Sequence, residues 1–322
     1  KLAQEFLEGF KSEKKKILAG SVEVGSFFST TLQEESDNWM SHMKLRASPG
    51  HLKRCKEILK NFNKTYGRLE PNKITLEFLS TLQKQLKERK GKRPETTWSN
   101  ASVNRYTEVI CAVLNFSASQ RRIPFSPVIG FKKLPKRSPE MLYWDEAEAG
   151  SFLEWANQKY SDWSNKNKFQ ARQHYIVYLL ALNTGMRAGE IWGLKPIDLF
   201  FEEEEAGGTI FVRRQYNAVA GELAPLKGEL NANKDKSRHV PCARELQEEL
   251  KTLIRSNQIG RDETIFQAPS RKPVYHDCFV DRFQRDLRTW TGRKIRFHDM
   301  RHTAATLMLS KSIDVKTVSE IL

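Results

Sequence analysis

Two short stretches carry side chains that could hold a phosphate. Within residues 179–194, LLALNTGMRAGEIWGL, Arg187 and Glu190 stand three apart just after Thr184-Gly185. Within residues 294–322, KIRFHDMRHTAATLMLSKSIDVKTVSEIL, His298 and Arg301 stand three apart and His302 follows at once. A phosphodiester is anionic and has a poor leaving group. Breaking it without a metal requires cations at the non-bridging oxygens and a proton donor for the departing oxygen. Arginine suits the first task because its planar fork can hold two oxygens and stays charged. Arg187 and Arg301, from distant parts of the chain, could clamp one phosphate. Helical residues three apart share a face, so His298 can address the same site as Arg301, and Glu190 can orient Arg187 or another basic neighbour. Plainer readings stand beside these: a helix-end surface arginine for Arg187, and a capping or core histidine for His298. His302 points elsewhere on a helix and reads as packing.

Together and in this order, the two stretches resemble the paired arginine boxes of the tyrosine recombinases, the phage-integrase family. The resemblance covers roughly residues 27–322. It implies that His298 contacts the phosphate and assists proton transfer, and that Glu190 supports the site. It also implies a lysine general acid on a small β-hairpin. The segment ANKDKSRHVP resembles that hairpin, with Lys234 as the candidate and Lys236 in reserve; either also reads as an exposed hairpin lysine without a role. After the second box the family continues with Leu-Gly-His, or Trp for His, and then the nucleophilic tyrosine. This sequence ends at VSEIL, where that motif would begin, and its eight tyrosines all precede His298. Tyr275, the nearest, reads as packed. The expectation is a site-specific DNA recombinase or integrase, here a fragment without its nucleophile. In the intact protein, tyrosine would form a 3′-phosphotyrosyl link that a free 5′ hydroxyl reverses, with no cofactor and no metal. The implied partners are double-stranded DNA attachment sites, a homotetramer on DNA and a directionality factor. The implied setting is the cytoplasm, with bacterial or phage encoding and nucleoid association when bound. A non-cleaving DNA-binding protein or regulator on the same fold is the alternative, and a type IB topoisomerase relative is a third.

The elements that must position these residues read as mainly α. Residues 1–26 form a connecting helix and linker, similar to the link that follows an arm-binding domain in related integrases. Residues 27–130 carry four helical patterns, near 27–44, 49–62, 75–87 and 101–122, opened in one case by Ser48-Pro49. The resemblance implies a SAM-like core-binding domain here, half of a clamp on duplex DNA. Lys53, Arg54, Arg89, Lys90, Lys92, Arg93, Arg105, Arg121 and Arg122 are candidate phosphate-backbone contacts, which position a protein without reading sequence; each also fits a solvated surface charge. A basic linker at 131–141, within the proline-rich stretch 124–137, separates this region from an integrase catalytic domain at 142–322, incomplete at its C-terminal end. That domain reads as helices near 145–160, 174–192, 245–256 and 279–291. A strand-and-turn signature at 209–216 and a returning strand at 237–240 make a small antiparallel sheet, and a last helix starts near Phe297.

Bulk properties fit this reading. The 322 residues suffice for two cored domains. Lys and Arg outnumber Asp and Glu by 54 to 39, a net charge of +15, which favours a polyanionic partner. No apolar run is long enough for a membrane span and no signal-peptide core is present. The four cysteines have no CxxC pair, which argues against zinc and for reduced thiols, with Cys55 and Cys111 as small core residues.

Overall fold

The computed structural model describes residues 30–91, 96–136, 140–161, 166–201, 207–226, 236–268, 270–273 and 276–322, apart from the side chains of residues 166–170 and 276. The chain is mainly helical with a small antiparallel sheet, and it divides into two units, Lys1–Ser138 and Pro139–Leu322. Among the described residues no helix is long and apolar enough to cross a membrane.

In the first unit, α1 (Leu32–Met43), α2 (Pro49–Tyr66), α3 (Leu76–Glu88) and α4 (Asn100–Ser119) follow the four expected patterns, with ends set by local chemistry. The Thr31 side chain accepts from the Glu34 N–H while the Glu34 carboxylate accepts from the Thr31 N–H, so α1 starts at Leu32; the expected start near Phe27, like the connecting helix at 1–26, lies outside the described residues. Pro49 opens α2, and the side chains of Thr75 and Ser99 cap α3 and α4. Helix α4 is the shared wall. Its Val103, Tyr106, Ile110 and Leu114 pack with Phe62, Leu79 and Leu82, while Val109 and Val113 pack with Trp39, Cys55 and Leu59.

Residues 131–136, within the expected basic linker, are held to this unit. Asn104, fully buried, donates from Nδ2 to the Leu134 carbonyl and accepts the Leu134 N–H at Oδ1, both at 2.8 Å. Gln83 and Asn100 donate to the carbonyls of Lys132 and Pro135. Phe131 and Leu134 pack against the core. Prolines and basic residues carry no periodicity, so this docking is invisible to pattern reading; side-chain amides replace the missing ladder.

In the second unit, α5 (Glu146–Lys159), α6 (Lys166–Thr184), α7 (Ala188–Trp192), α8 (Arg244–Ser256), α9 (His276–Thr289), α10 (Asp299–Ser310) and α11 (Val315–Ile321) surround the strands β1 (Leu199–Phe201), β2 (Gly208–Val212), β3 (Gln215–Asn217), β4 (Glu222–Ala224) and β5 (Arg238–Cys242). Helix α6 is central: Tyr175 through Leu182 are all buried, and α5, α8 and α10 lie against it. It begins well before the expected His174, because its first turns are polar and give no apolar signal. Arg172 on this stretch is itself buried, bonded to Glu249, Asn157 and the Tyr160 carbonyl.

The sheet has the antiparallel order β1-β2-β5, with β3-β4 a separate hairpin. The stretch 209–216, expected as a strand and turn, holds β2, a break at Arg213-Arg214 and the start of β3. Arg213 and Arg214 at the break both bind the buried Asp198 carboxylate, which draws the chain off the ladder. Hairpin strand β3 then seats on α7, where Gly193 permits the approach: a Cβ there would lie 3.0 Å from the Gln215 Cα.

Replacing Asn104 with Ala removes both bonds from a buried amide. Urea unfolding is expected to show a loss of ~1–3 kcal/mol, and trypsin should cut faster after Lys132 and Lys133.

Candidate phosphate-binding site

Helix α6 ends where its own side chains turn the chain. Thr184 Oγ1 donates to the Leu180 carbonyl at 2.6 Å and accepts the Met186 N–H at 3.3 Å. Gly185 follows in the left-handed region at φ +63°, which only glycine adopts without strain. The chain then extends, and Arg187 becomes the N-cap of α7.

Glu190 closes this cap. Its carboxylate accepts the Arg187 N–H at Oε2 and Arg187 Nη1 at Oε1, each at 2.9 Å. The group is 2% exposed. A second arginine, Arg238 at the start of β5, donates Nη1 to Oε1 at 3.2 Å and Nη2 to Oε2 at 2.7 Å, forming a two-pronged fork. Its Nε donates to the Ile321 carbonyl at 2.6 Å. A third, Arg301 on α10, donates Nη1 to the Gly185 carbonyl at 2.7 Å and Nη2 to the Leu322 carbonyl oxygen. Arg187 Nη1 reaches that same oxygen at 3.5 Å. The two expected arginines thus converge on one acceptor atom.

The electrostatics follow from this crowding. Burial alone would push the Glu190 carboxyl up, but the Arg238 fork and then the Arg187 N–H and guanidinium hold it below the ordinary carboxylate range. Burial, with Arg187 and Arg238 nearby, pushes the Arg301 guanidinium down to about 10, against the opposing pull of Glu190. Three arginines against one carboxylate leave excess positive charge, which an incoming anion would relieve. His298, at the N-terminus of α10, keeps an exposed face, while partial burial and the neighbouring His302 and Arg301 hold its pKa below the ordinary value. The His298 and His302 rings meet edge to face at 5.7 Å. Asp299 beside it is fully buried and binds the Arg296 N–H and guanidinium. The Trp144 N–H donates to Thr303 Oγ1, tying α10 to the start of α5.

Of the other expected residues, Lys236 is exposed just before β5. Lys234 lies outside the described residues, as do Lys92, Arg93 and Tyr275. Lys53, Arg54, Arg89, Lys90, Arg105 and Arg121 are exposed on the first unit. Arg89 rests over the Trp98 ring. Arg122 differs: it pairs at 3.3 Å with Glu35, which is fully buried and also accepts from Ser117. Arg238 was missed, although a signal existed. Residues 238, 240 and 242 share one strand face, and Val240 and Cys242 are buried. An arginine in register with them calls for a buried acid.

The sequence profile of the Phage integrase family matches residues 156–322. Among curated proteins, the chain is 23% identical over 293 residues to the ICEBs1 integrase of Bacillus subtilis, covering 88% of this chain and 72% of that one. It is 25% identical over 307 residues to the tyrosine recombinase XerC of Thermodesulfovibrio yellowstonii, covering 91% and 88%. Among solved structures, the Tn1549 transposon integrase in complex with transposon right end DNA superposes with a TM-score of 0.67 at 18% identity, covering 91% of this chain and 90% of that one. A lambda integrase tetramer bound to a Holliday junction gives 0.65 at 16% identity, covering 93% and 79%.

Glu190→Gln should destabilise the protein at neutral pH by ~3 kcal/mol, since it breaks a buried ion pair. The native carboxyl has a lowered pKa, so its contribution is full above the ordinary value of 4.5 and fades as pH falls through the lower native value. Urea midpoints of wild type and variant should therefore draw together below pH 4.5.

Proposed function

The chain belongs to the phage integrase family, and from that premise we propose that Arg187 and Arg301 clamp the scissile phosphate of a DNA attachment site. Membership makes it a DNA strand-exchange enzyme of the site-specific recombination class. The observation that carries the finer reading is the convergence of the two guanidinium groups on a single oxygen, the Leu322 carbonyl. A phosphate oxygen in that place would be held from both sides.

On this reading each residue has one task. Glu190 orients Arg187. His298 faces the same phosphate in neutral form, suited to accept or pass a proton. Lys234, with Lys236 in reserve, supplies the proton to the leaving 5′ oxygen. The nucleophile is a tyrosine, joining the DNA as a 3′-phosphotyrosyl link. Three of the described tyrosines are unsuited to that role. Tyr160 and Tyr178 both donate to the buried Asp286, and Tyr175 donates to Glu245. Burial and these carboxylates push all three phenols up, the wrong direction for a nucleophile. The exposed basic residues of the first unit would contact backbone phosphates. The solved neighbours include DNA complexes and a tetramer on a junction, which supports duplex attachment sites and a homotetramer as partners here. A directionality factor belongs to the same proposal.

Arg187→Ala in the full-length protein should reduce strand cleavage by about 10²-fold or more while DNA affinity stays near wild type. Cleavage gels and mobility shifts measure the two separately; normal cleavage by the variant would remove Arg187 from the site.

A further inference from the structure

The Glu190 carboxylate is claimed by two cations, one on its own helix and one on β5, and only the first has a role in the reading above. We propose that Arg238 is a positioning residue for strand cleavage: by clamping Glu190 from β5, it keeps Arg187 available to the phosphate and fixes the strand that follows Lys236 to the same carboxylate. The inference rests on the phosphate-site reading of Arg187 and Arg301.

Consider what a buried carboxylate does with a single partner. At 2% exposure Glu190 has almost no water, so its charge must be met by protein donors. Arg238 meets most of it, with Nη1 and Nη2 on the two oxygens and 12% of its side chain exposed. Arg187 therefore needs only its N–H and one guanidinium contact to Glu190, and its side chain remains 42% exposed, turned to where an anion could arrive. Without Arg238, Glu190 would draw the whole Arg187 fork inward as its sole close counter-ion. Carboxylate and phosphate would compete for one arginine. The site would also lose one of three positive charges while keeping its negative one. The charged groups facing Glu190 are Arg187 from α7, Arg238 from β5 and Arg301 from α10.

The second half of the inference is mechanical. Arg238 follows Lys236 by two residues and is the first residue of β5. Its Nε holds the Ile321 carbonyl at the end of α11 while its terminal nitrogens hold Glu190. One side chain thus fixes the start of β5, two residues after Lys236, against both α7 and α11.

The test uses the full-length protein on its own attachment-site DNA, with single-turnover cleavage, DNA affinity and thermal unfolding read for each variant. Arg238→Gln should slow cleavage by about 10- to 100-fold with DNA affinity little changed, and Arg238→Lys should fall between it and wild type. The deciding variant is the double substitution Arg238→Gln with Glu190→Gln. Removing the carboxylate removes the competitor for Arg187 and restores the charge balance, so the double variant should cleave about tenfold faster than Arg238→Gln alone. A packing role predicts the opposite, since a second lesion at one site only adds damage. A double variant as slow as Arg238→Gln or slower, an Arg238→Gln protein that cleaves at the wild-type rate, or one that does not fold would each overturn the inference. Arg187→Ala, run in parallel, separates the two levels. If it cleaves normally, the phosphate-site reading fails; if it is inactive while Arg238→Gln is normal, only the role of Arg238 fails.

Discussion

A carboxylate with 2% exposure cannot stay ionised in a protein interior unless cations and N–H groups surround it. Glu190 is that group, and much of the second unit can be understood as the apparatus that meets its charge. Helix α6 must stop at Thr184 so that α7 can begin with the Arg187 N–H pointing at Glu190. Strand β5 must run in the register that turns Arg238 inward beside Val240 and Cys242. The carboxylate in turn fixes two guanidinium groups in orientation, which free arginine side chains would not keep. The cost of burying one charge is offset by the alignment of two others.

The same arrangement crowds positive charge at one point. Arg301 enters from α10 by bonding the carbonyl of Gly185, the residue that breaks the helix before Arg187. The turn that exposes the first arginine is thus also the docking point of the second. The end of α11 supplies the carbonyls of Ile321 and Leu322 to the three arginines, and carbonyls at a helix C-terminus carry partial negative charge. The Ile321 carbonyl, a neutral acceptor, orients Arg238 without cancelling its charge.

Much of this was legible in the sequence because each feature has a local signature. Thr184-Gly185 marks a helix break, and three-residue spacing marks the pairs Arg187–Glu190 and His298–Arg301. Four apolar helical patterns mark the first unit. What escaped notice depended on partners far away in the chain. Arg238 has meaning only beside Glu190, 48 residues earlier. The split of β2 from β3 depends on Asp198 catching Arg213 and Arg214. The start of α6 is polar because Arg172 there answers Glu249 rather than the core. The docking of residues 131–136 depends on the amide of Asn104. In each case a polar side chain replaces an apolar pattern, and polar pairing across long separations leaves no periodic trace.

The most direct measurement is a structure of the intact protein bound to its DNA site. The account predicts that the non-bridging oxygens of the scissile phosphate lie about 3 Å from the guanidinium nitrogens of both Arg187 and Arg301, with Glu190 still held by Arg238. A scissile phosphate bound elsewhere, with Arg187 and Arg301 still engaged only with Glu190 and backbone carbonyls, would contradict it.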